Sequence, residues 1–129
     1  MAETKKNTIL IADDEAHIRL LIEQALEDLE ETGVEIITAK NGMQALQLIQ
    51  ETKPKLVFLD VMMPIMNGFD VCRTIKNEPE TEDVYIVLIT AKGQEFDHQM
   101  GEKAGANFYI TKPFDPDELL NLATKVMGA

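Results

Sequence analysis

Four short apolar or β-branched runs each end on polar residues. They are ILIA before Asp13-Asp14, KLVFL before Asp60, YIVLI before Thr90 and FYIT before Lys112-Pro113. A run of that length, bounded by turn residues, is the pattern of a strand buried on both faces, as in a parallel sheet. The pattern predicts strands over Thr8–Ala12, Val34–Ala39, Lys55–Leu59, Tyr85–Ile89 and Phe108–Thr111. Between them the period lengthens to that of a helix. Ile18, Leu21, Ile22, Ala25, Leu26 and Leu29 line one face of a predicted helix over Glu15–Glu31, which Gly33 ends as a C-cap glycine. Asn41-Gly42 opens a second helix through Glu51, and a third runs over Gly68–Asn77 with Val71, Cys72 and Ile75 inward. A weaker one is predicted over Glu95–Ala104, with Phe96, Met100 and Ala104 inward. Asp115-Pro116 starts the last, with Asp as N-cap and Pro in the first turn, and Leu119, Leu122, Ala123 and Val126 inward.

Five strands alternating with five helices predict an α/β fold: a doubly wound parallel sheet with helices on both faces and right-handed crossovers. In such a sheet ligands bind outside the carboxyl ends of the strands. That edge would hold Asp13, Asp14, Asp60, Thr90 and Lys112 together. Crowded carboxylates raise a pKa or recruit a cation. An oxygen-only donor set suits magnesium, and no His or Cys lies near the strand ends as a softer ligand. The Thr90 hydroxyl and Lys112 ammonium suit phosphoryl oxygens, and an aspartate can itself become an acyl phosphate. Each piece alone has a plainer reading. Asp13-Asp14-Glu15 also suits the first turn of a helix, and Asp60 a turn.

Composition narrows the classes. At 129 residues the chain is expected to form one domain over 1–129, with 45% hydrophobic and 27% charged residues. A net charge of −11 argues against nonspecific binding to nucleic acid or anionic membranes. A single Cys72 allows no internal disulfide, which fits a reducing cytoplasm. The N-terminus lacks a signal-like apolar stretch, and the longest apolar run, Val84–Ile89, is far too short to span a bilayer. There is no G-x-x-x-x-G-K-[ST], and the first strand-helix turn, A-D-D-E, would repel a nucleotide phosphate. His17 and His98 have no triad partner at an obvious spacing and read as surface residues. Met62, Met63, Met66 and Met100 read as core or loop filling.

The blocks ILIADDEAHIR, LVFLDVMMPIMNGFDVCR, YIVLITA and GANFYITKPFDPDEL, in this order, are together specific. Through them nearly the whole chain resembles the CheY-like receiver domain of two-component response regulators. The resemblance implies a flavodoxin-like sheet of strand order 2-1-3-4-5. It implies Asp60 as phosphoacceptor, Asp14 as direct magnesium ligand, Asp13 as the acidic partner acting mainly through water, and the Met62 carbonyl as the remaining protein ligand. Lys112 would bind a phosphoryl oxygen and the Lys112-Pro113 bond would be cis. Thr90 and Tyr109 would be the switch pair, although a tyrosine on an edge strand is also common. Met62 and Lys92 would tune the phosphoryl lifetime. The departures, Gln44 and Asn67 where acidic residues are common, lie away from the site.

The expected partners are a sensor histidine kinase or phosphotransfer protein and a downstream effector protein. The chain would be a monomer or a phosphorylation-dependent dimer, without direct nucleic-acid or membrane binding. It would be a switch rather than an enzyme: Val61 and Met62 follow Asp60 in place of a second acid/base carboxylate, and no length is spare for a cap. The ending VMGA favours a stand-alone regulator; the alternatives are a phosphorelay intermediate and a receiver excised from a longer regulator.

Overall fold

The computed structural model describes residues 6–91 and 102–128. Five strands form one parallel sheet: β1 (Lys6–Ala12), β2 (Glu35–Ala39), β3 (Pro54–Asp60), β4 (Tyr85–Ala91) and β5 (Phe108–Lys112), in the order β2-β1-β3-β4-β5. The helices are α1 (Ala16–Ala25), α2 (Glu27–Glu31), α3 (Gly42–Thr52), α4 (Gly68–Lys76) and α5 (Pro116–Met127). Residues 102–104 are also helical and belong to the predicted Glu95–Ala104 helix; the rest of it, including Phe96, His98 and Met100, lies outside the described residues.

Alternation along the strands divides the core in two. Leu10, Val57, Leu59 and Leu88 face α3 and α4 with Ala45, Ile49, Val71, Cys72 and Ile75. Ile9, Ile11, Phe58 and Ile89 face α1 and α5 with Ile22, Leu26, Leu119 and Ala123. Both faces of β1, β3 and β4 are therefore apolar, which is why those strands read as continuous runs.

Among the described residues six helical segments stand where five were predicted, because the first breaks at Leu26 (φ −102°, ψ 8°). The Leu26 amide donates to both Ile22 and Glu23 carbonyls, a tightened turn. Leu26 and Leu29 stay buried on either side of the break, so the core contact continues through it. Leu21, expected inward, is 46% exposed. Gly33 ends α2 with φ +103°, its amide donating to Glu30 and that of Val34 to Leu29, a Schellman arrangement. The two departures from the resemblance are capping residues. Asn41 accepts from the Gln44 amide while Gln44 accepts from the Lys40 amide, and Asn67 caps α4 through the Asp70 amide.

Candidate functional site

The carboxyl edge gathers side chains from β1, β3 and β5. Asp13 follows β1 and is wholly buried. Its amide donates to the Ala39 carbonyl (3.1 Å), and its Oδ1 accepts from the Glu15 amide (2.9 Å). The helix-start reading of this triplet is thus only half realised. Asp13 folds the turn before α1, whose N-cap, Glu15, makes no side-chain cap. Asp14 points outward and is exposed.

Asp60 is the last residue of β3 rather than the first beyond it, and is 5% exposed. Lys112 ends β5, and its bond to Pro113 is cis. Its Nζ lies 3.3 Å from Asp60 Oδ1, 3.4 Å from Asp13 Oδ2 and 3.7 Å from Glu15 Oε1. The ammonium therefore stands between two buried carboxylates drawn from different strands.

The electrostatics follow from this crowding. Burial, and then repulsion from Asp13, push Asp60 up to about 7; Lys112 opposes both without cancelling them. Burial likewise raises Asp13. Burial alone would pull Lys112 down, but Asp60 and Asp13 outweigh it and hold the ammonium above its ordinary value. Two carboxylates against one ammonium leave the buried group an excess of negative charge.

Asp13 Oδ2 is buried and accepts no well-aligned hydrogen bond among the described residues, where its close cation is Lys112. Asp13, Asp14 and Glu15 offer carboxylate oxygens within 4.8 Å of one another. An unsatisfied buried oxygen in an oxygen-only set fits a hard divalent cation such as magnesium. Met62 lies in the loop after β3 and is not filler: its side chain is 74% exposed, while Met63 is buried. The Met62 carbonyl accepts no hydrogen bond among the described residues, so it too is available. Two amides shape that loop, Val61 donating to Ile89 and Gly68 to Val61. Within it Met66 donates to Pro64 (2.8 Å) around Ile65, which holds φ +74°. Gly68 is required there, because a Cβ would lie 2.4 Å from the Asp60 carbonyl oxygen.

Thr90 lies within β4 and is buried at 2%. Alternation places it on the face of Leu88, opposite the face that Ile89 shares with its register partner Asp60. Tyr109 pairs with Leu88 on β5 and packs half-buried against the same face as Thr90. Thr90 and Tyr109 thus share one face of the sheet.

Sequence reasoning missed two participants. Glu15 was read only as a helix starter, yet it faces Lys112; its place beside two aspartates was the available signal. Arg19 donates from α1 to the Asp13 carbonyl (2.8 Å), which no pattern announces. A large groove of about 1440 Å³ lies at the opposite edge, between Lys53, Tyr85, Phe108 and Val126. It is remote from the carboxylates and takes no part in their chemistry.

The model of the response regulator receiver domain family matches residues 9–124. The chain belongs to this family. It is 44% identical over 117 residues to a probable transcriptional regulator ycf27 of Porphyra purpurea, covering 91% of this chain and 46% of that one. It is 45% identical over 113 residues to the phosphate regulon transcriptional regulatory protein PhoB of Pseudomonas aeruginosa, covering 88% and 48%. Among solved structures, a putative response regulator from Chloroflexus aurantiacus superposes with a TM-score of 0.83 at 32% identity, covering 95% and 98%. The chain is a receiver domain of two-component signalling. It spans about half the length of the curated relatives it matches. No helix among the described residues is long and apolar enough to cross a membrane.

Proposed function

We propose that this receiver accepts a phosphoryl group on Asp60, in a magnesium-dependent transfer from a histidine kinase or phosphotransfer protein. The observation that carries this is the pairing of buried Asp60 with Lys112 beside the unsatisfied, buried Asp13 Oδ2. Asp60, Asp13, Asp14 and the Met62 carbonyl would hold the cation, with Asp13 contributing mainly through water. When bound, magnesium neutralises charge between the carboxylates and the incoming phosphoryl oxygens.

The chain's own residues do the rest. An ionised Asp60 oxygen attacks phosphorus, the bond to the donor breaks, and an acyl phosphate forms on Asp60. Lys112, already aimed at Asp60, pairs with a phosphoryl oxygen and compensates the added charge. Thr90 then turns toward the phosphoryl group, and the Tyr109 ring fills the room it leaves. That repacks the face formed by the fourth predicted helix (Glu95–Ala104), β5 and α5, where an effector would dock, for a coupling of about 1–3 kcal/mol. Beyond self-phosphorylation and self-dephosphorylation no catalysis is proposed. For the whole protein, an output in transcriptional control is supported by the names of the curated relatives.

The test is incubation with a small-molecule phosphodonor. One phosphoryl group should be added in magnesium and essentially none in EDTA; equal incorporation in both would contradict the reading.

Thr90→Ala separates acceptance from transmission. It should still take phosphate at Asp60, while β5 and α5 respond far less to a phosphoryl mimic with magnesium. Amide chemical shifts of Phe108–Lys112 would report the response. An equal response in wild type and Thr90→Ala would remove the Thr90-Tyr109 pair from the pathway.

A further inference from the structure

Asp13 is held at its amide, its carbonyl and its Oδ1, and the hold on the carbonyl comes from a side chain of α1. Its amide bonds Ala39, its Oδ1 bonds the Glu15 amide and its Oδ2 faces Lys112. Its carbonyl lies past the end of the β1 ladder, where neither neighbouring strand supplies an amide, and the residue is wholly buried. A buried carbonyl needs a donor. The Arg19 guanidinium, six residues on along α1, supplies it at 2.8 Å. Among the described residues Arg19 forms no ion pair with any carboxylate. Its half-buried cation is therefore used as a hydrogen-bond donor to the backbone rather than as a counter-charge.

We propose that Arg19 is a positioning residue for the cation site: by fixing the Asp13 carbonyl it sets the turn that directs Asp13 and Asp14 toward the ion. This rests on the magnesium reading above. The geometry behind it is a tether between the first turn of α1 and the residue that leaves β1. With the carbonyl held, the peptide plane between Asp13 and Asp14 is fixed. The Asp13 side chain then keeps its bond to the Glu15 amide, and Asp14 keeps its outward aim. Without the tether that plane is free to rotate, and both carboxylates lose their common direction. Groups that orient metal ligands from behind commonly change metal affinity by 10–100-fold on removal.

Charge and position make opposite predictions here, which gives the test its edge. Removing a cation near a magnesium site should tighten binding if Arg19 acts through its charge. Removing a positioning donor should weaken it. Arg19→Met keeps the length and apolar stem but cannot donate; Arg19→Lys can still reach the carbonyl. In the metal-free protein, exchange protection of the Glu15 amide should fall in Arg19→Met and return toward wild type in Arg19→Lys. Magnesium titrations should show affinity about 10-fold weaker in Arg19→Met and near wild type in Arg19→Lys. Tighter binding in Arg19→Met would overturn the proposal in favour of a charge effect. A lower melting temperature with unchanged Glu15 protection and unchanged affinity would overturn it in favour of simple helix packing. Wild type and Asp14→Asn are titrated alongside. If they bind magnesium alike, the metal reading itself fails, while the Glu15 amide still decides whether Arg19 fixes the turn.

Discussion

Replacing Lys112 by methionine is expected to destabilise the cation-free domain by about 3 kcal/mol near neutral pH. Lys112 Nζ is the close partner of both Asp60 Oδ1 and Asp13 Oδ2, and both aspartates are buried. Its loss leaves two buried carboxylates facing one another without a counter-charge. Breaking a buried pair costs more than the pair itself contributes, because the remaining charge stays desolvated. Two conditions should rescue the variant. Magnesium supplies the missing positive charge, so it should stabilise Lys112→Met more than wild type. Acid protonates the carboxylates, so the gap should narrow as pH falls. Urea unfolding with EDTA or magnesium, at two pH values, measures this directly. An unfolding midpoint equal to wild type in EDTA at neutral pH would show that the ammonium does not compensate these carboxylates.

Without a divalent cation, stability should fall as pH rises from about 4 to about 7, and Asp60 should account for most of the fall. Asp60 is raised from 3.8 to about 7 in the folded protein, chiefly by burial and secondarily by Asp13. Between those values the folded state binds a proton that the unfolded state has released. Its contribution is fully present below the unfolded value and is lost as pH rises through the folded one. The difference between these two values corresponds to about 4 kcal/mol as an upper figure. Asp60→Asn removes the titration, so the variant should be more stable than wild type above neutrality and nearly equal to it near pH 4. Saturating magnesium should flatten the wild-type profile, since it favours the ionised form. The check is the difference between the wild-type and Asp60→Asn melting temperatures across this range in EDTA. A difference that does not grow with pH would mean that Asp60 is not held protonated by its surroundings.

The strands were legible because both faces of β1, β3 and β4 are covered, which leaves uninterrupted apolar runs in the sequence. Their ends were placed slightly short, since Asp60, Thr90 and Lys112 still take part in the strands they close. The gathering of Asp13, Asp60 and Lys112 followed from one rule, that a parallel sheet presents its carboxyl ends along one edge. The strand order did not; it came from the resemblance, because nothing local in a strand says which neighbour it pairs with. The break at Leu26 was invisible, as neither proline nor glycine marks it. It is a tightened turn at Leu26, whose amide is shared between the Ile22 and Glu23 carbonyls. Leu21 shows a related limit: helical spacing placed it inward, but α1 buries Ile22 beside it and leaves Leu21 at 46% exposure. The adjacent aspartates could not be told apart by position alone. Tertiary contacts with Ala39, Glu15, Arg19 and Lys112 bury Asp13, while Asp14 is left exposed. Arg19 escaped notice for a related reason, because its partner is a carbonyl, which every residue has.

Site-mapped phosphorylation of wild type and Asp60→Asn, side by side in magnesium with a small-molecule phosphodonor, tests the central claim most directly. The account predicts a single modified residue in wild type, Asp60, and no incorporation in Asp60→Asn under the same conditions. Labelling that persists undiminished in Asp60→Asn, or that maps to another residue in wild type, would contradict it.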